Sequence, residues 1–284
     1  MRQLLAALLT LLSITVSADV KLIPDMKFRR LDTQDGLSSS QVNCIFRDSR
    51  GFLWFGTPYG LNRYDGFRFK TYYSSNRDTT TMRDNYTELI FEAGDGRLWL
   101  KQGMNYCIYD PVKDTFERNP AKELAKMGVN GGVEKIYIDS KKNFWIKAYG
   151  DGLYYYNPST KKGHHFREGY EQGQVNPTYG FSWCTEHDGK MMAVTYCGEY
   201  MVFDGEHGRI LEDNKWMREH GGPENQDYRM TVDKEGNIWC IALENTYIYI
   251  KKENRWYTTM VEYLRAKGFD NLPEKLQVWN ILFD

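Results

Sequence analysis

The segment that decides the fold is DSRGFLWFGTPYGLNRYDG, residues 48–66, which joins an acidic turn, a tryptophan and a second glycine-containing turn. Asp48 and Gly51 stand at the first and fourth positions of a tetrapeptide, a spacing that favours a type I turn. The Asp48 side chain can cap free backbone N–H groups in such a turn. Alternating apolar residues on both sides predict that the turn joins two β-strands, the second of which carries Trp54.

The same pattern recurs along the chain, so the sequence contains an internal repeat. The five copies span residues 42–57, 86–101, 134–148, 182–195 and 228–242. Their large apolar anchors are Trp54, Trp99, Trp145, Met192 and Trp239, separated by 45, 46, 47 and 47 residues. A period in the forties with about four short strands per unit is typical of a β-propeller blade.

Each repeat predicts four antiparallel strands, labelled A to D in chain order, with the anchor on strand B. A large flat side chain there fills the wedge between neighbouring blades and buries on the order of 150–250 Å². Blades are predicted over residues 40–72, 85–119, 132–168, 180–211 and 228–259. The repeat residues interpreted as structural are Asp48, Gly51, Trp54, Trp99, Asp139, Trp145, Asp233, Gly236 and Trp239. The second copy has Ala93 in the acidic position, which argues against a chemical role for that position.

Both ends of the repeat region carry additional strand-like segments. Phe28 lies 26 residues before Trp54, as Phe166 lies 26 before Met192, which predicts an N-terminal outer strand at Phe28–Leu31. Residues 276–284 resemble strand A of the first copy. The predicted fold is therefore all-β: an incomplete propeller of five four-stranded blades, the first strand of a sixth and an N-terminal outer strand. We expect the chain to be an N-terminal fragment of a longer protein.

Composition and the N-terminus indicate an exported protein. The 284 residues include 37 basic and 38 acidic side chains, so no basic surface favours nucleic acid. Residues 1–18 combine Arg2, an apolar run and Val16-Ser17-Ala18, which predicts a signal peptide cleaved after Ala18. An uncleaved membrane anchor is the alternative. Residues 19–284 contain no second apolar stretch of spanning length, so no membrane span is predicted in the mature chain.

The five cysteines are odd in number and irregularly spaced, without a CxxC pair. A zinc site is therefore not expected, and neither is any other metal or cofactor. The cysteines are interpreted as buried free thiols, with a single disulfide as the alternative.

Ligand contacts are expected at the turns of one face of the disc. Because strands alternate in direction, the B–C turns and the D–A connections emerge on the same face. The candidate ligand-binding residues in these turns are Tyr59, Tyr149, Asp151, Tyr196 and Asn245. Aromatic rings beside hydrogen-bonding groups suit sugar recognition. The alternative is that tyrosine is abundant, with 21 in the chain, and that turns collect polar residues in any case.

The opening sequence FRRLDTQDGLSSSQVNCIFRDSRGFLWFGTPYGLNRYDGFRFKTY, residues 28–72, resembles the first of the two-component regulator propeller repeats. These repeats form the periplasmic sensor region of hybrid two-component systems in polysaccharide-degrading gut bacteria. The resemblance extends over nearly all of residues 24–284. It implies a periplasmic sensor for an oligosaccharide, a homodimer formed through the ectodomain, and longer relatives anchored in the inner membrane that carry a histidine kinase and a receiver.

Because the chain has no kinase motif, it is not expected to be an enzyme. The first alternative is a secreted propeller lyase or glycosidase, since fold does not fix function. A glycosidase needs two carboxylates across one pocket, and the sequence singles out no such pair. The second alternative is a protein-interaction scaffold.

Overall fold

Five four-stranded antiparallel sheets follow one another along the described part of the chain, each with its strands in sequence order. The structure, a computed structural model, describes residues 29–166, 180–224, 226–243, 245–278 and 281. The prediction of an all-β propeller with five four-stranded blades is confirmed. The predicted signal peptide, residues 1–18, lies outside the described residues.

The first three sheets contain strands β1 to β12. Blade 1 consists of β1 (Cys44–Arg47), β2 (Leu53–Thr57), β3 (Gly60–Tyr64) and β4 (Phe69–Tyr72). Blade 2 consists of β5 (Leu89–Glu92), β6 (Leu98–Gln102), β7 (Asn105–Asp110) and β8 (Thr115–Glu117). Blade 3 consists of β9 (Val133–Ile138), β10 (Phe144–Ala148), β11 (Gly152–Asn157) and β12 (Lys162–Phe166).

The last two sheets and the helices complete the described architecture. Blade 4 consists of β13 (Phe181–His187), β14 (Lys190–Thr195), β15 (Tyr200–Asp204) and β16 (Arg209–Asn214). Blade 5 consists of β17 (Tyr228–Val232), β18 (Ile238–Ala242), β19 (Asn245–Ile250) and β20 (Arg255–Tyr257). The α-helices are α1 (Ala121–Lys126), α2 (Trp216–Glu219) and α3 (Met260–Ala266), and short 3₁₀ turns occur at Thr33–Asp35 and Lys251–Glu253.

The two additional strands expected at the ends lie largely outside the described residues. Phe28 and most of residues 279–284 are not described. Of the described residues in these segments, 29–32 and 276–278 form no strand. A strand without a hydrogen-bonded neighbour gains nothing from the extended conformation, and no neighbour for either segment lies within the described part of the chain.

Apolar clusters between successive blades form the core. Trp54 lies 5.1 Å from the Tyr109 ring of blade 2, and Trp99 lies 5.5 Å from the Phe144 ring of blade 3, measured between ring centroids. Both indoles are fully buried, and Trp145 occupies the same place between blades 3 and 4. Since each of these three tryptophans contacts the following blade, the recurrent indole joins neighbouring sheets.

The outward faces of the first and last described blades are covered by local segments. Leu31 and Leu37 pack with Phe55 on blade 1. On blade 5, Tyr263 of α3 contacts Trp239 edge-on at 5.2 Å. Helix α3 begins where the Thr259 hydroxyl accepts a hydrogen bond from the Glu262 N–H, 3.1 Å away, which satisfies a free backbone donor.

The acidic residue of the repeat holds both the turn and the indole. The Asp48 carboxylate accepts hydrogen bonds from the backbone N–H groups of Arg50 and Phe52, at 3.1 and 2.9 Å. It also accepts one from Trp54 Nε1 at 2.9 Å. Gly51 has φ +91°, a left-handed value that disfavours side chains. The turn and the anchor therefore form one hydrogen-bonded unit.

The same indole–carboxylate bond recurs in two other blades. Trp145 donates to Asp139, and Trp239 to Asp233, each at 3.1 Å. Blade 2 has Ala93 at this position, and the buried Trp99 Nε1 has no hydrogen-bond partner among the described residues. A buried, unsatisfied N–H costs about 1–3 kcal/mol, so blade 2 carries a local defect.

Replacing Ala93 with aspartate should repair this defect. We expect Ala93→Asp to raise the free energy of unfolding by about 1 kcal/mol, because the new carboxylate would accept from Trp99 Nε1. Urea denaturation followed by circular dichroism would measure the change. Ala93→Leu, which adds volume without an acceptor, is the control. Equal effects of the two substitutions would contradict the assigned role of the carboxylate.

All five cysteines are free thiols, as expected, and four of them are buried. Burial raises the pKa of Cys44 and Cys107 to about 11, and that of Cys184 to about 12. These thiols remain protonated at neutral pH and behave as small apolar side chains.

Hydrogen-bonded carboxylates within and between blades should make the fold sensitive to acid. Burial would raise the pKa of Asp114, but hydrogen bonds from Lys70, Tyr109 and Tyr72 outweigh it and lower that pKa. The pKa of Asp233 is also lowered, because bonds from Asn237 and Trp239 outweigh the effect of burial.

A folded-state pKa below the unfolded value contributes stability above pH ~4, and this stability is lost as pH falls through the folded pKa. We therefore expect the urea midpoint to fall between pH 5 and pH 3. Asp114→Asn should be less stable at pH 7 and should show a smaller fall on acidification. An unchanged pH dependence in this variant would contradict the prediction.

Candidate functional site

The B–C turns and the D–A connections lie together on one face, which we call the turn face. Backbone hydrogen bonds join them: Gly60 N donates to Asn85 O at 3.0 Å, and Tyr149 N to Gly132 O at 3.0 Å. In blade 4, the Tyr196 N–H donates to the Gly180 carbonyl at 2.9 Å. All five predicted ligand-binding residues occupy this face, at a B–C turn or at the first residue of strand C.

Two predicted tyrosines present exposed rings. Tyr59 is 67% exposed and Tyr149 is 47% exposed. The Tyr149 hydroxyl lies 3.6 Å from Met104 Sδ in the B–C turn of blade 2, and its ring lies against Gly132. A side chain on Gly132 would press on this ring, since an added Cβ would be 3.0 Å from Tyr149 Cδ2.

A cavity of about 460 Å³ opens beside Tyr149, between blades 2 and 3. Its polar lining includes Arg83, Asn105, Asn119, Lys122 and Asn130, and its apolar lining includes Met104 and Tyr106. This volume lies within the range of small-molecule sites, roughly 300–1,000 Å³. Amide and guanidinium groups beside an exposed phenol ring can bind a polyhydroxylated ligand.

Asp151 is engaged by its own blade. Its carboxylate accepts a hydrogen bond from the Tyr154 hydroxyl, and its carbonyl lies 2.5 Å from His165 Nε2. The Tyr154 and His165 rings stack at 3.8 Å between centroids. Side chains of β11 and β12 thus hold Asp151 in place, an arrangement that sequence spacing does not reveal.

Tyr196 contacts a partly buried ion pair of blade 3. The Lys147 side chain is only 2% exposed, and its Nζ lies 2.6 Å from Glu134 Oε1. Lys147 Nζ is also 3.2 Å from the Tyr196 hydroxyl and 4.9 Å from the centroid of its ring. Burial would lower the pKa of Lys147, but the bond and charge of Glu134 outweigh it and raise that pKa. The ammonium therefore stays charged and links blades 3 and 4.

The same pairing occurs in blade 2, where Lys101 Nζ lies 3.2 Å from Glu88 Oε1. In both blades, the lysine follows the tryptophan by two residues and the glutamate precedes it by eleven. This set shows in an alignment of the repeats, whereas residue type and turn position do not reveal it. Both glutamates are neutralised by lysines, which does not suit the pair of carboxylates that a glycosidase needs.

Tyr59 and Asn245 stand apart from the other candidates. Within the described ranges, no hydrogen bond or ring contact joins either of them to Tyr149, Asp151 or Tyr196. Asn245 is half-buried, and its amide lies 3.5 Å from the Tyr247 hydroxyl of its own strand. The predicted residues thus share a face but do not form a single cluster.

Neither a metal site nor a membrane helix is found in the described part of the chain. No group of three or more His, Cys, Asp or Glu side chains there could hold a metal ion. The described helices are all too short or too polar to cross a bilayer.

Comparison with known proteins confirms the resemblance of the first repeat. Residues 36–59 match the two component regulator propeller family. Over 55 residues, the chain is 44% identical to Histidine kinase P4 of Formosa agariphila, a match that covers 19% of this chain and 4% of the kinase.

Solved structures share the fold. The extracellular domain of the hybrid two component system BT3049 from B. thetaiotaomicron has a TM-score of 0.56 at 23% identity over 81% of this chain and 32% of its own. The extracellular domain of BT4673 from the same organism has a TM-score of 0.57 at 21% identity, over 79% of this chain and 30% of its own. A catalytically inactive virginiamycin B lyase from Staphylococcus aureus has a TM-score of 0.51 at 14% identity, over 79% of this chain and 71% of the lyase. The chain thus spans about a third of each ectodomain, and its fold is shared by sensors and by an enzyme.

Proposed function

We propose that this chain is the N-terminal part of the periplasmic ligand-sensing propeller of a hybrid two-component system, and that it recognises an oligosaccharide. The observation that carries the proposal is the match of residues 36–59 to the two component regulator propeller family on a chain folded as propeller blades. Residues 1–18 would direct export, and dimerisation through the ectodomain would accompany sensing.

The turn face supports an oligosaccharide as the ligand. Tyr59 and Tyr149 offer exposed rings on which the C–H face of a sugar can pack. The cavity beside Tyr149 offers the side chains of Arg83, Asn105 and Asn119 as hydrogen-bonding groups. Sensing requires saturable binding without turnover, and the paired states of Glu88 and Glu134 agree with that.

Calorimetric titration of residues 19–284 with a panel of oligosaccharides would test this proposal. We expect saturable binding without product in chromatographic analysis of the mixture. Tyr149→Ala should weaken binding about tenfold, the equivalent of about 1.4 kcal/mol. Phe67→Ala, an exposed aromatic residue between β3 and β4 on the opposite face, is the matched control and should have no effect.

Product formation in the same mixtures would indicate a glycan-degrading enzyme instead. Absence of binding to every member of the panel would overturn the sensing proposal. Light scattering of the same sample would show whether the chain forms the expected homodimer.

A further inference from the structure

The interface between blades 4 and 5 differs from the three interfaces before it. In register, Met192 faces Thr185 on strand A as Trp54 faces Phe46, so Met192 stands in the place of the indole. His187 takes the acidic position of the repeat, and the hairpin turns through Asp188 and Gly189. The strand B position therefore supplies no indole to this wedge, and the turn position supplies no carboxylate.

The underfilled wedge is an open cleft of about 670 Å³, which we call the lateral cleft. Met192 and Ile238 lie along it in the interior, with Val202 and Val232 from the two facing sheets. This volume falls within the range of small-molecule sites, roughly 300–1,000 Å³.

Aromatic rings from strands C and D and from helix α2 line the lateral cleft. Trp216 of α2 stacks on Trp256 of β20 at 4.9 Å and 7° between ring planes. Tyr249 lies 5.2 Å from Trp256, and Tyr200 lies 6.1 Å from it. These rings come from both blades and from the helix between them, so the fold assembles an aromatic wall where the repeat left space.

Polar groups at the cleft hold the residues that carry these rings, and they keep hydrogen-bonding capacity for a ligand. Asn214 Oδ1 accepts from the backbone N–H of Trp216 at 3.1 Å, and Asn254 Oδ1 accepts from the Tyr249 hydroxyl at 2.9 Å. Glu212 accepts from the Tyr200 hydroxyl at 2.5 Å. Lys251 also lines the cleft, and within the described residues no carboxylate pairs with its ammonium. The cleft therefore offers both hydrogen-bond acceptors and donors beside apolar rings.

We propose that the lateral cleft is a second saccharide-binding site, separate from the turn face. Sugar rings combine an apolar C–H face with hydroxyl groups that both donate and accept, which matches the aromatic wall and its mixed polar groups. This inference deepens the proposed function and rests on it. It assigns Met192 as the residue that keeps the site open.

Refilling the wedge tests the site. Met192→Trp restores the repeat anchor and should lower the affinity measured at the cleft at least tenfold, because the indole would occupy ligand space. Met192→Leu keeps a similar volume and should retain affinity within about threefold. Since Trp216 and Trp256 line the cleft, the readout is the change in tryptophan fluorescence on adding saccharides that bind in calorimetry. Trp256→Ala, which removes part of the aromatic wall, provides a second variant if Met192→Trp folds poorly.

The outcomes separate the two proposals. Loss of the fluorescence response in Met192→Trp, or weaker calorimetric binding in Trp256→Ala, with the fluorescence response kept in Tyr149→Ala, supports the lateral cleft. Trp256→Ala is judged by calorimetry because the substitution removes one of the two tryptophans that report on the cleft. Binding that is unchanged in both cleft variants, or calorimetric binding that only Tyr149→Ala weakens, overturns the cleft but leaves oligosaccharide sensing standing. If no saccharide binds the unaltered chain by either method, both proposals are overturned.

Discussion

Trp54→Ala is expected to lower the free energy of unfolding by about 3–5 kcal/mol, the usual cost of removing a large buried aromatic side chain. Trp54 is fully buried and lies in the apolar cluster shared by blades 1 and 2. Its removal would also delete the ring on which Tyr72 stacks and which Tyr109 meets edge-on. Urea denaturation monitored by circular dichroism measures the loss.

Trp239→Ala is the matched control for Trp54→Ala, because the two residues hold the same position in their repeats. Trp239 is half-buried and packs in one cluster with Tyr263 of α3 and with Ile248 and Tyr257 of its own blade. We expect a loss of about 1–2 kcal/mol here, since less apolar surface becomes exposed. Equal losses for the two variants would show that contact with a following blade is not what stabilises the indole.

Asp48→Ala is expected to cost about 2–4 kcal/mol, because it removes a buried carboxylate that accepts from two backbone N–H groups, from Trp54 Nε1 and from the Arg50 guanidinium. Trp54 Nε1 would be left unsatisfied in the core, as Trp99 Nε1 already is. The backbone N–H groups of Arg50 and Phe52 would lose their caps, and the turn would become less rigid.

Asp95→Ala tests the same chemistry on an exposed turn. Asp95 accepts from the backbone N–H of Arg97 at 3.0 Å and from its Nε at 2.7 Å, but its side chain is 49% exposed. Exposed pairs contribute about 0–1 kcal/mol, so a small loss is expected. If Asp48→Ala proved no more costly than Asp95→Ala, the carboxylate would not be holding the indole.

The blade architecture could be predicted because its signals are local. The turn at Asp48 and Gly51, the alternation of strand B and the interval to the next tryptophan are all properties of short segments. Period-2 alternation and turn chemistry act within a few residues, so they are visible without knowledge of distant neighbours.

Candidate ligand contacts were less accessible to sequence reasoning. Residue type and turn position identified Asp151, yet the structure shows that Tyr154 and His165 engage it. The pair of Glu134 with Lys147 spans only 13 residues but depends on the hairpin register and on Tyr196 of the next blade. Such contacts are decided by neighbours that the linear pattern does not specify.

By itself, the sequence determined the number of described blades, the order of their strands and the acidic turns that anchor Trp54, Trp145 and Trp239, because these depend on interactions between residues close in the chain. Only the tertiary structure decided where an unfilled cleft remains between blades. The lateral cleft exists because one side chain, Met192, is too small to fill a wedge whose walls come from two blades and from helix α2. Packing volume at an interface depends on all the surfaces that meet there, and these surfaces come together only when the blades are in place.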